Sequence, residues 1–208
     1  MRRRLSILGA IVALAALTSG AIAPAALSND DGDSRDRVVR WDLVQFPSAV
    51  GLSGGSAVSV DEATRDTLTL TGSGHAEPQQ EEAFGGGSFV HATEGDKELA
   101  SGVYYVTNFI SWRKIEAGSL EGLGLTDGIG DIDNSTSGVL KLRVAFVPEV
   151  DGEPGPTIKG RLIIYCWLPG ATVNFAEGVR VKIQALDLHF VQHPDPHTAG
   201  ETLFHVIR

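Results

Sequence analysis

The sequence predicts an all-β fold, a single antiparallel β-barrel or jelly-roll-like sandwich of about seven to nine strands with little helix. Three observations carry this. Apolar and polar residues alternate at period two in segment after segment. The 25 glycines, with prolines, aspartates and asparagines, punctuate those segments as turn or bulge residues. No stretch of a dozen residues shows a capped apolar stripe at helical spacing.

The chain opens on a segment of another kind. "MRRR" is a positive n-region, "LSILGAIVALAAL" an apolar h-region, and Ala23-Pro24-Ala25 an A-x-A site, so residues 1–25 read as a secretory signal peptide. An uncleaved anchor at the cell surface is the alternative, because the apolar stretch reaches the lower limit for a span. Cleavage takes away three arginines and no acid, which moves the net charge from −9 to −12. A mature chain this acidic is a poor partner for nucleic acid or an anionic membrane. Residues 26–36 are polar and charged without periodicity and read as a flexible acidic leader, so the all-β domain occupies residues 37–208.

Within the domain, "VVRWDLVQF" sets Val39, Trp41 and Leu43 against Arg40 and Asp42, and "TLTLTG" sets Leu68 and Leu70 against threonines. "GVYYVTNFISW" places Tyr104, Val106, Ile110 and Trp112 on one face, with Val103, Tyr105 and Phe109 on the other. "GVLKLRVAFV" groups Leu140, Leu142, Val144 and Phe146; "GRLIIYCWL", "VRVKIQALDLHFV" and "TLFHVI" complete the strands. "VDEATRDT" and "PQQEEAF" offer at most a turn or two of helix. Three consecutive glycines in "AFGGGSFVHAT" mark a bulge at a barrel corner or a close approach of another segment. The 116–138 stretch is too long for an ordinary loop, and is therefore a functional or a mobile one. Cys166, the single cysteine, lies among large apolar residues and reads as a buried inert thiol.

Candidate chemistry concentrates in "LDLHFVQHPDPHTAG". His189, His193 and His197 recur every fourth residue, and His205 follows in the last strand. Imidazoles are ligands for a divalent metal such as zinc. Pro194 and Pro196 forbid the helix that would align them, and on a strand four residues span roughly 13 Å, so convergence needs a reversal at "HPDPH". His189 would then face His205 across a hairpin. The competing reading is an exposed polar turn.

Other motifs lack their context. "GLSGG" matches G-x-S-x-G, but strand-like "SAVSV" follows where a nucleophile elbow needs a helix. Asp127, Asp131, Asp133, Ser135 and Ser137 offer oxygens at calcium-loop spacing, as do Asn29, Asp31 and Asp33. Neither run has the position-six glycine or the closing glutamate. Asn134-Ser135-Thr136 is a glycosylation sequon.

The expected function is that of a secreted, non-enzymatic β-domain: a structural module, or one that binds a small apolar ligand or a glycan, with no cofactor. The alternative is a small metal-dependent β-barrel enzyme with His189, His193, His197 and His205 as ligands. The signal-peptide reading predicts that protein secreted by its natural host begins at Ala26. N-terminal sequencing or intact mass checks this, and a start at Met1 would establish the anchored alternative.

Overall fold

The structure, a computed structural model, describes residues 38–48, 51–115, 118–195 and 200–207, with no side-chain description for residues 46–48. The signal peptide, the leader, Arg37 and His197 lie outside the described residues.

The fold is all-β, and the barrel is the form it takes. Among the described residues fourteen strands follow in order: β1 (Val38–Ser48), β2 (Gly51–Gly54), β3 (Ser56–Asp61), β4 (Thr67–Thr71), β5 (Ser73–Glu77), β6 (Glu82–Ala92), β7 (Glu98–Ile115), β8 (Thr126–Asp127), β9 (Ser135–Val150), β10 (Glu153–Pro154), β11 (Ile158–Cys166), β12 (Gly178–Ile183), β13 (Leu188–Gln192) and β14 (Glu201–Ile207). Ten of them close an antiparallel ring, β9-β11-β12-β13-β3-β4-β6-β5-β1-β14 and back to β9, while β7 pairs with both β6 and β9. Closure leaves the ring without a free edge. Among the described residues the helical pieces are two 3-10 turns, Ile132–Asn134 and Gln184–Leu186. The two helix candidates are tight turns between strands instead.

Strands exceed the expected number because one segment breaks in two and because the short strands β2, β5, β8 and β10 carry no clear alternation. "VRVKIQALDLHFV" is a hairpin, not one strand: Ile183 pairs with Leu188, and Asp187 turns the chain with a left-handed φ of 53°. A break at Gly72 (φ 136°) divides β4 from β5. Strand β6 crosses this break, pairing β5 through Glu82–Gly86 and β4 through Phe89–Ala92. The glycine run is thus no bulge. Its register with β5 and with β7 is continuous, and the corner lies opposite it, at Gly72. A Cβ at Gly87 would collide with the Thr71 carbonyl, so the bend needs glycine on both strands.

Strand β7 carries the reverse surprise. Two register shifts, between Val106 and Asn108 and between Phe109 and Ser111, bring Phe109 opposite Leu142 and Trp112 opposite Leu140. Each extra residue flips the faces that follow. Phe109 therefore packs with the core cluster beside Trp112, where unbroken alternation assigned it to the other face.

The first and last strands define the centre. Trp41 pairs with Phe204, and Val39 with Val206, on the face toward the barrel interior. Trp41, Phe204, Leu140, Leu162 and Ile164 are completely buried there, each burial worth about 1.5–3 kcal/mol. Phe204 meets Trp112 edge-on at 4.7 Å. The Trp41 indole spreads over two glycines, Gly74 and Gly85, where an added Cβ would come within 2.8 Å of its ring. Cys166 is buried as expected, and burial pushes its thiol well up.

Gly85→Ala is expected to cost about 3 kcal/mol, because the site combines a φ of 128° with direct overlap on Trp41 and the Ser73 carbonyl. Gly122→Ala, with φ 76° but open space around it, is expected to cost about 1 kcal/mol. Urea unfolding of both variants checks this; equal losses would refute the packing account of the glycine run.

Candidate functional site

The middle of the outer face of β1 and β14 is buried as well, and this makes the site. Arg40 pairs with His205 and Asp42 with Leu203 on that face. Asp42 and His205 are 2% and 1% exposed, so each needs a partner. Arg40 donates to both Asp42 oxygens, at 2.9 and 3.0 Å, a bidentate bond that raises the guanidinium pKa further. His205 Nε2 lies 2.7 Å from Asp127 Oδ2, with both side chains almost fully enclosed. With Asp127 ionised, the imidazole donates through Nε2–H.

Asp127 reaches His205 because the long loop closes over the barrel wall. The other Asp127 oxygen accepts from the Ile129 and Gly130 N–H groups, at 2.8 and 3.0 Å. Strand β8 pairs in parallel with β2, and Gly128 N–H donates to the Leu52 carbonyl. Gly130 lies against the imidazole, where a Cβ would stand 2.7 Å from its Cε1. The 118–134 segment is therefore clasped to β14. Losing either member of the pair leaves the other buried alone, at a cost of about 1–3 kcal/mol.

Beside the clasp, the same loop walls a cavity of about 740 Å³. This volume suits a small organic ligand. Val44, Leu52 and Leu203 line it from the barrel side, Leu120, Leu123 and Leu125 from the long loop, and Trp167, Leu168, Val173 and Phe175 from the β11–β12 connection. Ser119 N–H donates to the Pro169 carbonyl at 3.1 Å, joining the two loops, and Leu168 N–H donates to Ser137 Oγ at 2.9 Å, tying the β11–β12 connection to β9. The cavity lies outside the barrel wall, and the interior itself is filled by side chains.

Its polar groups are few. Glu177 ends the β11–β12 connection, and Glu201 opens β14. Thr202 N–H donates to Glu177 Oε1 at 3.0 Å, and the Thr202 hydroxyl, which donates to the Tyr165 carbonyl at 2.7 Å, stands 3.3 Å from the same oxygen. Burial pushes the Glu177 carboxyl up to about 7, with Glu201 adding to the rise against the opposing Thr202 bonds. Burial also raises Glu201.

Of the histidines picked from the sequence, His193 alone among those described lines the cavity. It is half-buried, and its Nδ1 accepts from Asp195 N–H at 3.1 Å. His189 is half exposed on β13, 3.6 Å from Asp187. It does not face His205: β13 pairs with β12 and β3, whereas β14 pairs with β1 and β9. The chain crosses between two parts of the wall instead of forming a hairpin. Among the described residues no three metal-ligating side chains converge, neither these histidines nor the Asp127–Asp133 run. Asp131 instead caps the Ile132–Asn134 turn, and Asn134 is exposed. Ser53 of "GLSGG" lies in β2 and leads into β3, so the elbow geometry is absent there. Glu177 and Trp167 carried no sequence signal, since their importance comes from what encloses them.

No protein-family model matches this chain, and neither a curated protein nor a solved structure does.

The buried carboxyl sets a pH dependence of stability. Folded Glu177 keeps its proton to about pH 7, whereas its ordinary value is 4.5. The native state thus binds the extra proton between them, and the stability it contributes is full below the lower value and lost as pH rises through the upper. Relative to Glu177→Gln, the wild-type protein is expected to lose about 2–3 kcal/mol between pH 5 and pH 8. Urea unfolding of both proteins across that range measures it; parallel profiles would refute the assignment.

Proposed function

We propose that this chain is a secreted, non-enzymatic β-barrel that captures a small, largely apolar molecule in the cavity between its 118–125 and 167–177 loops. The observation that carries the reading is the cavity itself: about 740 Å³, walled by leucines and aromatic side chains, with a few polar groups among its described lining residues. Of the two ligand classes expected from the sequence, the apolar one has the better support. A glycan would need convergent hydrogen-bonding groups along its length, and the walls here are aliphatic and aromatic. The metal-dependent enzyme has less support, because His189, His193 and His205 stand apart.

One observation favours a second reading. A carboxyl whose pKa lies near 7 inside an apolar cavity suits a general acid or base, so Glu177 would move a proton on a bound substrate. Capture is common to both readings, and they part on turnover.

A neutral environment-sensitive dye such as Nile red is expected to bind with one-to-one stoichiometry, with a blue shift. Leu123, half exposed where the loop lines the cavity, supplies a variant that leaves the core alone. Leu123→Arg is expected to weaken binding at least tenfold with an unchanged unfolding midpoint. Dye binding that ignores this substitution would remove the cavity as the site.

A further inference from the structure

We propose that the ligand of this cavity is an amphiphilic amine, with its apolar body between the two loops and its ammonium group between Glu177 and Glu201. The proposal rests on the binding reading above and adds the chemical class.

The charge lining the cavity has one sign. Among the described residues, Glu177 and Glu201 are its carboxylates, His193 and Thr202 are further polar side chains, and no lysine or arginine lines it. Arg180, on the neighbouring strand β12, is committed elsewhere: it donates through Nε to Gln192 and lies over the Tyr165 ring at 5.3 Å. Two partly enclosed carboxyls without an internal cation hold protons or repel one another, and here each is raised by burial while Glu201 raises Glu177 further. A cationic headgroup between them supplies the missing charge. Both Thr202 approaches to Glu177 use Oε1, so Oε2 is the oxygen a bound ammonium would take.

The same geometry disfavours the other amphiphiles. A fatty carboxylate would bring a further acid to a site that already holds two, with no lysine or arginine among its described lining residues. A fatty alcohol would gain a hydrogen bond but leave the carboxyls uncompensated. Trp167 and Phe175 border the same space, and their ring faces attract a cation as well as an alkyl chain. The chain's surplus of acids over bases also draws cations toward its surface.

Three probes with one apolar body and different ends test this: decylammonium, decanol and decanoate. Each is titrated into the purified full chain at neutral pH by calorimetry, below micelle formation. Decylammonium is expected to bind at least tenfold more tightly than decanol, with decanoate weakest. In the Glu177→Gln/Glu201→Gln variant, that preference is expected to fall to within about twofold while decanol affinity stays unchanged, which also shows the cavity intact. Equal affinities in the wild-type protein, or preference for decanol or decanoate, would overturn the amine while leaving capture of an apolar ligand standing. An amine preference that survives the double substitution would overturn the two glutamates as its seat. If no probe binds, the cavity reading itself fails.

Discussion

Everything about this molecule depends on the pairing of its first described strand with its last. The β1–β14 ladder runs through seven residue pairs; its inner face is buried, and so is the middle of its outer face, at Asp42, Val44, Leu203 and His205. A strand with one wet face tolerates polar residues there at no cost, but a doubly covered strand does not. Asp42 and His205 lie buried on the outer face of this ladder, so each required a partner. Arg40 and Asp42 satisfy each other within one strand. His205 has no such neighbour and takes its partner, Asp127, from a loop 78 residues away in sequence. That one requirement turns a long irregular segment into a second layer.

The cavity follows from that layer. Once Asp127 is held against β14, the leucines preceding it face the β11–β12 connection, and the two loops cannot meet everywhere. The space left between them is apolar because the residues nearby serve as packing for a sheet face. It is acidic at one end because Glu177 and Glu201 are brought together where β12 and β14 begin. The barrel interior follows the opposite course. There, Trp41 occupies the room made by Gly74 and Gly85, and the close packing leaves a filled wall rather than a ligand chamber. The fold thus places its apolar cavity on the outside of the barrel, under loops.

How much of this was legible in the chain divides along a physical line. The all-β class, most strands and the inner residues of β1, β4 and β9 are visible as period-two alternation, since a strand writes its two faces into adjacent residues. Alternation fails where an extra residue enters a strand. Phe109 and Trp112 share a face in β7 because a register shift lies between them, and nothing in "VTNFISW" announces it. The glycine run shows the same limit. Its composition announces a close approach, whereas its partner, an indole from β1, belongs to another part of the chain.

The histidines mark the boundary best. Their spacing in "HFVQHPDPH" directed attention to the C-terminus, and the prolines correctly excluded a helical chelate. Which histidine matters was decided by strand order. His189 lies on a strand paired to β12 and β3, half in solvent, and His205 on one paired to β1 and β9, enclosed. The sequence by itself determined the all-β class, the inward residues of its regular strands and the burial of Cys166, because these depend on residues a few positions apart. Only the tertiary structure decided the ring order, the Asp127–His205 clasp, and the meeting of Glu177 with Glu201 beside an apolar cavity. Those arise from contacts between distant segments, and a buried charge takes its meaning from the groups that surround it in space.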